Sequence, residues 1–154
     1  MSFSLKGIHV SHRKNTADQS ALRMESPKTV TIPMSMHIGA PAKPLVKVGD
    51  LVKVGTPIAE ADGAISAPIH ASVSGKVTKI ADFLLPDGRT IPAVVIESDG
   101  EMTPDESLTP PVVNSRESFI ETIKNSGVVG LGGAGFPTHF KLNVDPSKIE
   151  LSSL

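Results

Sequence analysis

Cysteine is absent from the 154 residues. No disulfide, iron–sulfur cluster or thiolate zinc site can be assembled from these side chains alone. Tryptophan and tyrosine are absent too, and phenylalanine occurs five times, which excludes a core built on large aromatic rings. No apolar run approaches the length that crosses a bilayer, and the opening MSFSLKGIHVSHRK holds no apolar stretch of signal-peptide length. Neither sign of charge dominates. Fifteen Lys and Arg against sixteen Asp and Glu leave a net charge of −1, scattered along the chain, so nothing electrostatic points to nucleic acid or an anionic membrane surface as a partner. The expectation is a soluble chain without a transmembrane segment, in a reducing, cytoplasmic setting.

Glycine and proline are plentiful, 13 of each, in a chain that is 39% hydrophobic and 20% charged. Many turn-formers with few large side chains predict short strands around a small aliphatic core. Residues 1–28 are polar and read as an N-terminal arm, with a short helix near Asp18–Met24. From 29 to 98 the pattern is β. Val30 and Ile32 alternate with threonines, and Val-Lys-Val-Gly occurs twice, ending at Gly49 and Gly55. Each copy reads as a half-buried strand that stops at a tight turn. Further strands are expected at Pro57–Glu60, Ala64–Ser66, Ile69–Ser72, Gly75–Ile80 and Ala93–Glu97, with Pro86-Asp87-Gly88-Arg89 as a turn between the last two.

Residues 99–113, with Pro104, Pro110 and Pro111, read as a Pro-rich linker. A helix should follow, capped by Asn114 with Glu117 and ended by Gly127. A second helix should open near Pro137, and Lys148–Leu151 should begin a strand. About 40 residues are too few to close an α/β unit, so 114–154 is expected to be the truncated start of one, irregularly packed beyond Gly127.

The segment Val48–Ala64 with Ala71–Val77 resembles the biotinyl/lipoyl carrier fold, a barrel-sandwich hybrid of two interlocked hairpins. Carriers of that family present a modified lysine in a Glu-Thr-Asp-Lys-Ala turn. The matching residues here are Glu60-Ala61-Asp62-Gly63-Ala64. Glycine has no amine to acylate, so a lipoyl or biotinyl carrier is disfavoured and a structural or docking module favoured.

Gly130-x-Gly132-x-x-Gly135 matches the dinucleotide fingerprint, but no clear strand precedes it, and Asp145 and Glu150 come too early for the acidic ribose-binding residue. The longer string Gly130-Leu131-Gly132-Gly133-Ala134-Gly135-Phe136-Pro137-Thr138, with Lys141 beyond it, is more specific. It is similar to the flavin loop of the complex I flavoprotein, whose arginine is replaced here by Leu131. Glycines let the backbone lie against a phosphate or a ring, and a helix N-terminus beyond adds positive potential. The resemblance implies FMN and NADH contacts from Gly130, Gly132, Gly133, Gly135, Phe136 and Lys141. His9, His12, His37 and His70 lack carboxylate or thiolate companions, so no metal ligand is expected. No catalytic residue is assigned.

The order of parts is Gly7-Ile8-His9, His37–Pro44, Ser66–Gly75, Ile96–Gly100 and then the glycine loop. That order resembles the RnfC component of the Rnf electron-transport complex along essentially the whole chain. The resemblance implies a mainly β barrel-sandwich hybrid module followed by the start of a flavin- and NADH-binding α/β domain. It also implies a peripheral place on the cytoplasmic side of the bacterial inner membrane, with other subunits of a membrane-bound complex as partners. Family members hold FMN and 4Fe-4S clusters and move electrons between ferredoxin and NAD, coupled to ion translocation. Cluster ligands are missing from these residues, and the fragment alone should be inactive. The alternative is a non-catalytic docking module of a related sodium-pumping NADH-quinone reductase.

Overall fold

Two small antiparallel sheets form around residues whose side chains alternate between oil and water. The computed structural model describes residues 11–145 and 147. The Gly7-Ile8-His9 string, Glu150 and the strand expected at Lys148–Leu151 lie outside the described residues. One sheet has the order β1-β7-β6-β3, from Thr29–Pro33, Thr90–Ser98, Gly75–Leu84 and Leu51–Val52. The other has the order β2-β4-β5, from Lys43–Pro44, Pro57–Glu60 and Ile69–His70. In β1, Ile32 points inward while Thr29 and Thr31 face water, as period-two patterning requires. The core is aliphatic: Ile32, Met34, Val52, Ile58, Ile69, Val73, Val77, Val94 and Ile96 meet in it with three alanines. All four phenylalanines of the described residues lie outside it, at Phe83, Phe119, Phe136 and Phe140.

Each Val-Lys-Val-Gly copy ends in a tight turn, but only Val52 of the second lies in a strand, β3. Asp50 N–H donates to the Lys47 carbonyl and Thr56 N–H to the Lys53 carbonyl, at 3.2 and 3.0 Å. Gly49 and Gly55 occupy the third turn position with φ of +101° and +92°, where a type II turn favours glycine. A side chain closes each turn: Asp50 Oδ2 accepts from Lys47 N–H and Thr56 Oγ1 from Lys53 N–H, both at 2.9 Å. Each turn also grips one buried residue. Gly49 N–H donates to the Val77 carbonyl and Val77 N–H to Asp50, while Gly55 N–H donates to the Ala71 carbonyl and Ala71 N–H to Thr56. The repeat therefore encodes a pseudo-twofold pair of clasps, the interlocked geometry of a barrel-sandwich hybrid.

Other elements depart from expectation for local reasons. Ala64–Ser66 forms no strand, because Ser66 spends its hydroxyl on the Ala40 carbonyl and accepts from Asp62 N–H. Asp18–Met24 is not helical. Leu22 and Met24 are exposed there, and so short a helix without a buried face does not hold. β6 and β7 outrun the expected strands to Leu84 and Thr90, with a bulge between Val77 and Lys79 that bends the hairpin. The helix α1, Arg116–Asn125, is capped one residue later than expected, by Ser115 paired with Ser118. Gly127 ends it at φ +67°, as a C′ glycine does.

The stretch after β7 runs back over the barrel. Thr103 and Asp105 bracket Val54 with two backbone hydrogen bonds of 2.9 Å. Asp105 Oδ2 accepts from Thr56 Oγ1 at 2.5 Å, Lys53 pairs with Glu106 at 2.6 Å, and Leu108 lies against Gly55. The second clasp is thereby strapped from outside.

Candidate functional site

The glycine loop is anchored to the barrel and does not pack irregularly. A bridge between Val129 and Pro137 closes its neck. Gly130 N–H donates to the Phe136 carbonyl and Thr138 N–H to the Val128 carbonyl, both at 3.0 Å. Two glycines set the docking distance. A Cβ on Gly127 would sit 2.4 Å from the Pro68 carbonyl oxygen, and one on Gly135 would sit 3.0 Å from that of Met36. Both have positive φ, +67° and +66°, so their absent side chains serve conformation and close approach together. Ile38 N–H reaches back to the Gly135 carbonyl at 3.3 Å.

His37 fixes the barrel segment that receives the loop. Its Nε2 accepts from Ala67 N–H at 3.1 Å and its Nδ1 faces the Ile38 carbonyl at 3.1 Å. The neutral tautomer protonated at Nδ1 satisfies both contacts. His37 is thus a buried tie between two barrel loops.

Between the glycine loop and the β6–β7 hairpin lies a cleft of about 550 Å³. Ser35–Ile38 form its floor. Val129, Gly130, Leu131, Gly133, Ala134 and Gly135 form one wall, and Leu85, Pro86, Asp87 and Arg89 the other. Gly132 stands at the exposed loop tip, with open space where its side chain would be. Among the described residues, the amides of Leu131, Gly132, Gly133 and Ala134 donate no hydrogen bond of ordinary geometry to the protein. Such a run of free N–H groups on a held loop is what an anion seeks.

Gly132, Phe136 and Lys141 lie outside that cleft lining. Lys141 Nζ sits 5.5 Å from the Phe136 ring centroid, and the Cβ position of Gly130 lies 3.6 Å from it. The ammonium stands beside the loop neck, stacked on an aromatic face. Phe140 meets Phe136 edge-on, with centroids 5.8 Å apart. The second helix, α2, covers only Thr138–Leu142. Its first amide is spent on Val128, so it adds little of the expected helix-end potential. Arg116 of α1 donates to the Leu142 and Val144 carbonyls and pins the end of α2 to α1. Burial, with the Lys124 charge as a lesser cause, lowers the pKa of His139, whose Nδ1 has no hydrogen-bond partner among the described residues. The His139 side chain is buried.

The loop residues were legible in the sequence as a motif. Arg89 and the Ser35–Ile38 floor were not. Pro86–Arg89 carried a turn signal, but nothing local told that the turn would face the glycines.

A family model described as the RnfC barrel sandwich hybrid domain matches residues 2–101. The chain is 44% identical, over 92% of its length, to the C component of the Na(+)-translocating ferredoxin:NAD(+) oxidoreductase complex of Acetobacterium woodii. It is 41% identical, again over 92%, to the C component of the proton-translocating ferredoxin:NAD(+) oxidoreductase complex of Clostridium ljungdahlii. Against the C component of the ion-translocating oxidoreductase complex of Rhodobacter capsulatus the identity is 38% over 99% of the chain. The aligned regions span 33%, 32% and 30% of those proteins, about a third of each. With its two sheets and paired clasps covering the matched region, the chain belongs to the RnfC family.

Proposed function

We propose that this chain is the N-terminal part of a subunit that passes electrons between NADH, FMN and iron–sulfur clusters in an ion-translocating ferredoxin:NAD oxidoreductase complex. In this reading residues 1–28 are an arm, 29–98 the barrel, 99–113 a connection, and 114 onward the start of the nucleotide-binding unit. The observation that carries it is the set of free amides from Leu131 to Ala134, held on a loop that the barrel fixes in place. That donor set fits a phosphate-bearing flavin. The amides would take phosphate or ring oxygens, Lys141 would add a full positive charge at the neck, and Phe136 would supply an aromatic face. The exposed Met36, Ile38 and Leu131 offer apolar surface for a flat ring.

FMN supplies the exchange between two-electron hydride carriers and one-electron centres. The residues here bind and orient it. With no cysteine in the chain, ligands to 4Fe-4S clusters belong to other parts of the subunit. Ferredoxin, NADH and the remaining subunits are then partners of the whole complex at the cytoplasmic face of the inner membrane. No helix among the described residues is long and apolar enough to cross that membrane.

The test is FMN and NADH titration of the full-length subunit. Gly132→Val should weaken binding by placing a side chain where the backbone meets the ligand. Lys141→Ala should weaken it by about ten- to a hundredfold, the usual worth of a charge-assisted contact. Absence of FMN and NADH binding in the wild type would favour a docking module, for which the exposed Leu131 at the loop offers a contact surface.

A further inference from the structure

We propose that Arg89, on the barrel's β6–β7 hairpin, binds a phosphate of the nucleotide that the glycine loop holds, so that the barrel itself forms the second wall of that site. This rests on the glycine loop being a nucleotide site and extends it to a residue outside the glycine motif.

The hairpin reaches farther than the core requires. From Asp82 to Thr90 its residues are exposed except for half-buried Leu85, and Phe83 and Leu84 are no part of the main core cluster. Its tip is nevertheless well formed. Leu85 N–H donates to the Arg89 carbonyl at 2.8 Å, Gly88 N–H donates to the Leu85 carbonyl at 2.9 Å, and Gly88 takes φ +83°. A stiff tip aims Arg89 at the cleft, opposite Gly130, Leu131, Gly133 and Ala134.

Arg89 is the one lysine or arginine among the residues lining the cleft, and His37 there is held by the backbone at both ring nitrogens. Its present partner is Asp87, at 2.8 Å, with the two side chains 66% and 50% exposed. So exposed an ion pair contributes little. The guanidinium can leave it for a phosphate, to which its planar fork presents two donors at once. Asp87 is the opposing term. Its carboxylate also lines the cleft and holds the fork until a phosphate arrives.

Equilibrium titration of the full-length subunit with FMN and with NADH tests this on the wild type, R89A, R89K and D87N. Asn at 87 keeps the Oδ1 that accepts from the Arg89 backbone N–H, and it removes both the competing charge and the Oδ2 acceptor that holds the guanidinium. The expected result is about tenfold weaker binding of the phosphate-bearing ligand by R89A, partial recovery in R89K, and tighter binding by D87N. The ligand that responds identifies whose phosphate Arg89 meets. If R89A binds both ligands as the wild type does while Gly132→Val weakens them, Arg89 is not a binding residue and the loop reading survives. Equal loss in R89A and R89K, with no gain in D87N, would make the residue structural and overturn the proposal. A wild type that binds neither ligand removes both readings.

Discussion

Gly39, Gly49 and Gly75 all take positive φ, yet they answer to different constraints. A Cβ on Gly49 would meet open space. Gly49→Ala should therefore cost only the backbone conformation, about 1 kcal/mol. On Gly39 a Cβ would lie 2.1 Å from the Ile65 carbonyl oxygen, and on Gly75 2.0 Å from that of Glu97. Gly39→Ala and Gly75→Ala must move backbone as well, and should cost about 3 kcal/mol or more. Urea unfolding of the three variants checks the order, and equal losses would show that conformation alone decides. Gly63, exposed at the bend where a carrier would display its lysine, takes φ +100°, and a Cβ built there would come no nearer than 4.0 Å to Ala40. Expressed with lipoate and biotin ligases, the chain should keep its unmodified intact mass. A lipoyl or biotinyl increment would show that another lysine serves as acceptor.

The strap over the second clasp gives an element-scale prediction. The Thr56 hydroxyl, with help from Ser107, holds the Asp105 carboxyl down to about 2, against an ordinary 3.8. A carboxylate whose folded pKa is depressed stabilises the fold above its unfolded pKa and loses that effect as pH falls through the folded value. Resistance to urea should thus drop between about pH 4 and pH 2, and Asp105→Asn should flatten that part of the profile. An unchanged profile in the variant would mean that the strap does not couple to the fold. The strap also shows what local patterning omits. Val-Lys-Val-Gly alternates as a strand does, but Asp50 and Thr56, each just past a glycine, turn both copies into closed turns. Period-two alternation found the β class, the twin symmetry and the strands at Thr29–Pro33 and Pro57–Glu60. It wrongly placed a strand at Ala64–Ser66, where a serine hydroxyl outbids the ladder. It also ended β6 and β7 early, because β6 past Ala81 is exposed throughout and on β7 Ile91 is the one buried residue before Ala93.

At the scale of the whole molecule, the barrel holds the glycine loop. In the sequence that loop lacked support, since the motif is local while Gly127 and Gly135 dock on Pro68 and Met36, distant in the chain. The Gly135→Val substitution should lift the loop from the barrel. Limited proteolysis would then cut near residues 131–135 faster than in the wild type, with the barrel's own unfolding little changed, and unaltered cleavage would show that the loop holds without this contact. The most direct measurement is amide hydrogen exchange on the full-length subunit, with and without FMN. A flavin held between loop and hairpin predicts slowed exchange at the amides of Leu131–Ala134 and at the hairpin tip around Arg89 when FMN is present, with the clasps at Gly49 and Gly55 unchanged. FMN binding that leaves those loop amides exchanging as before would contradict it.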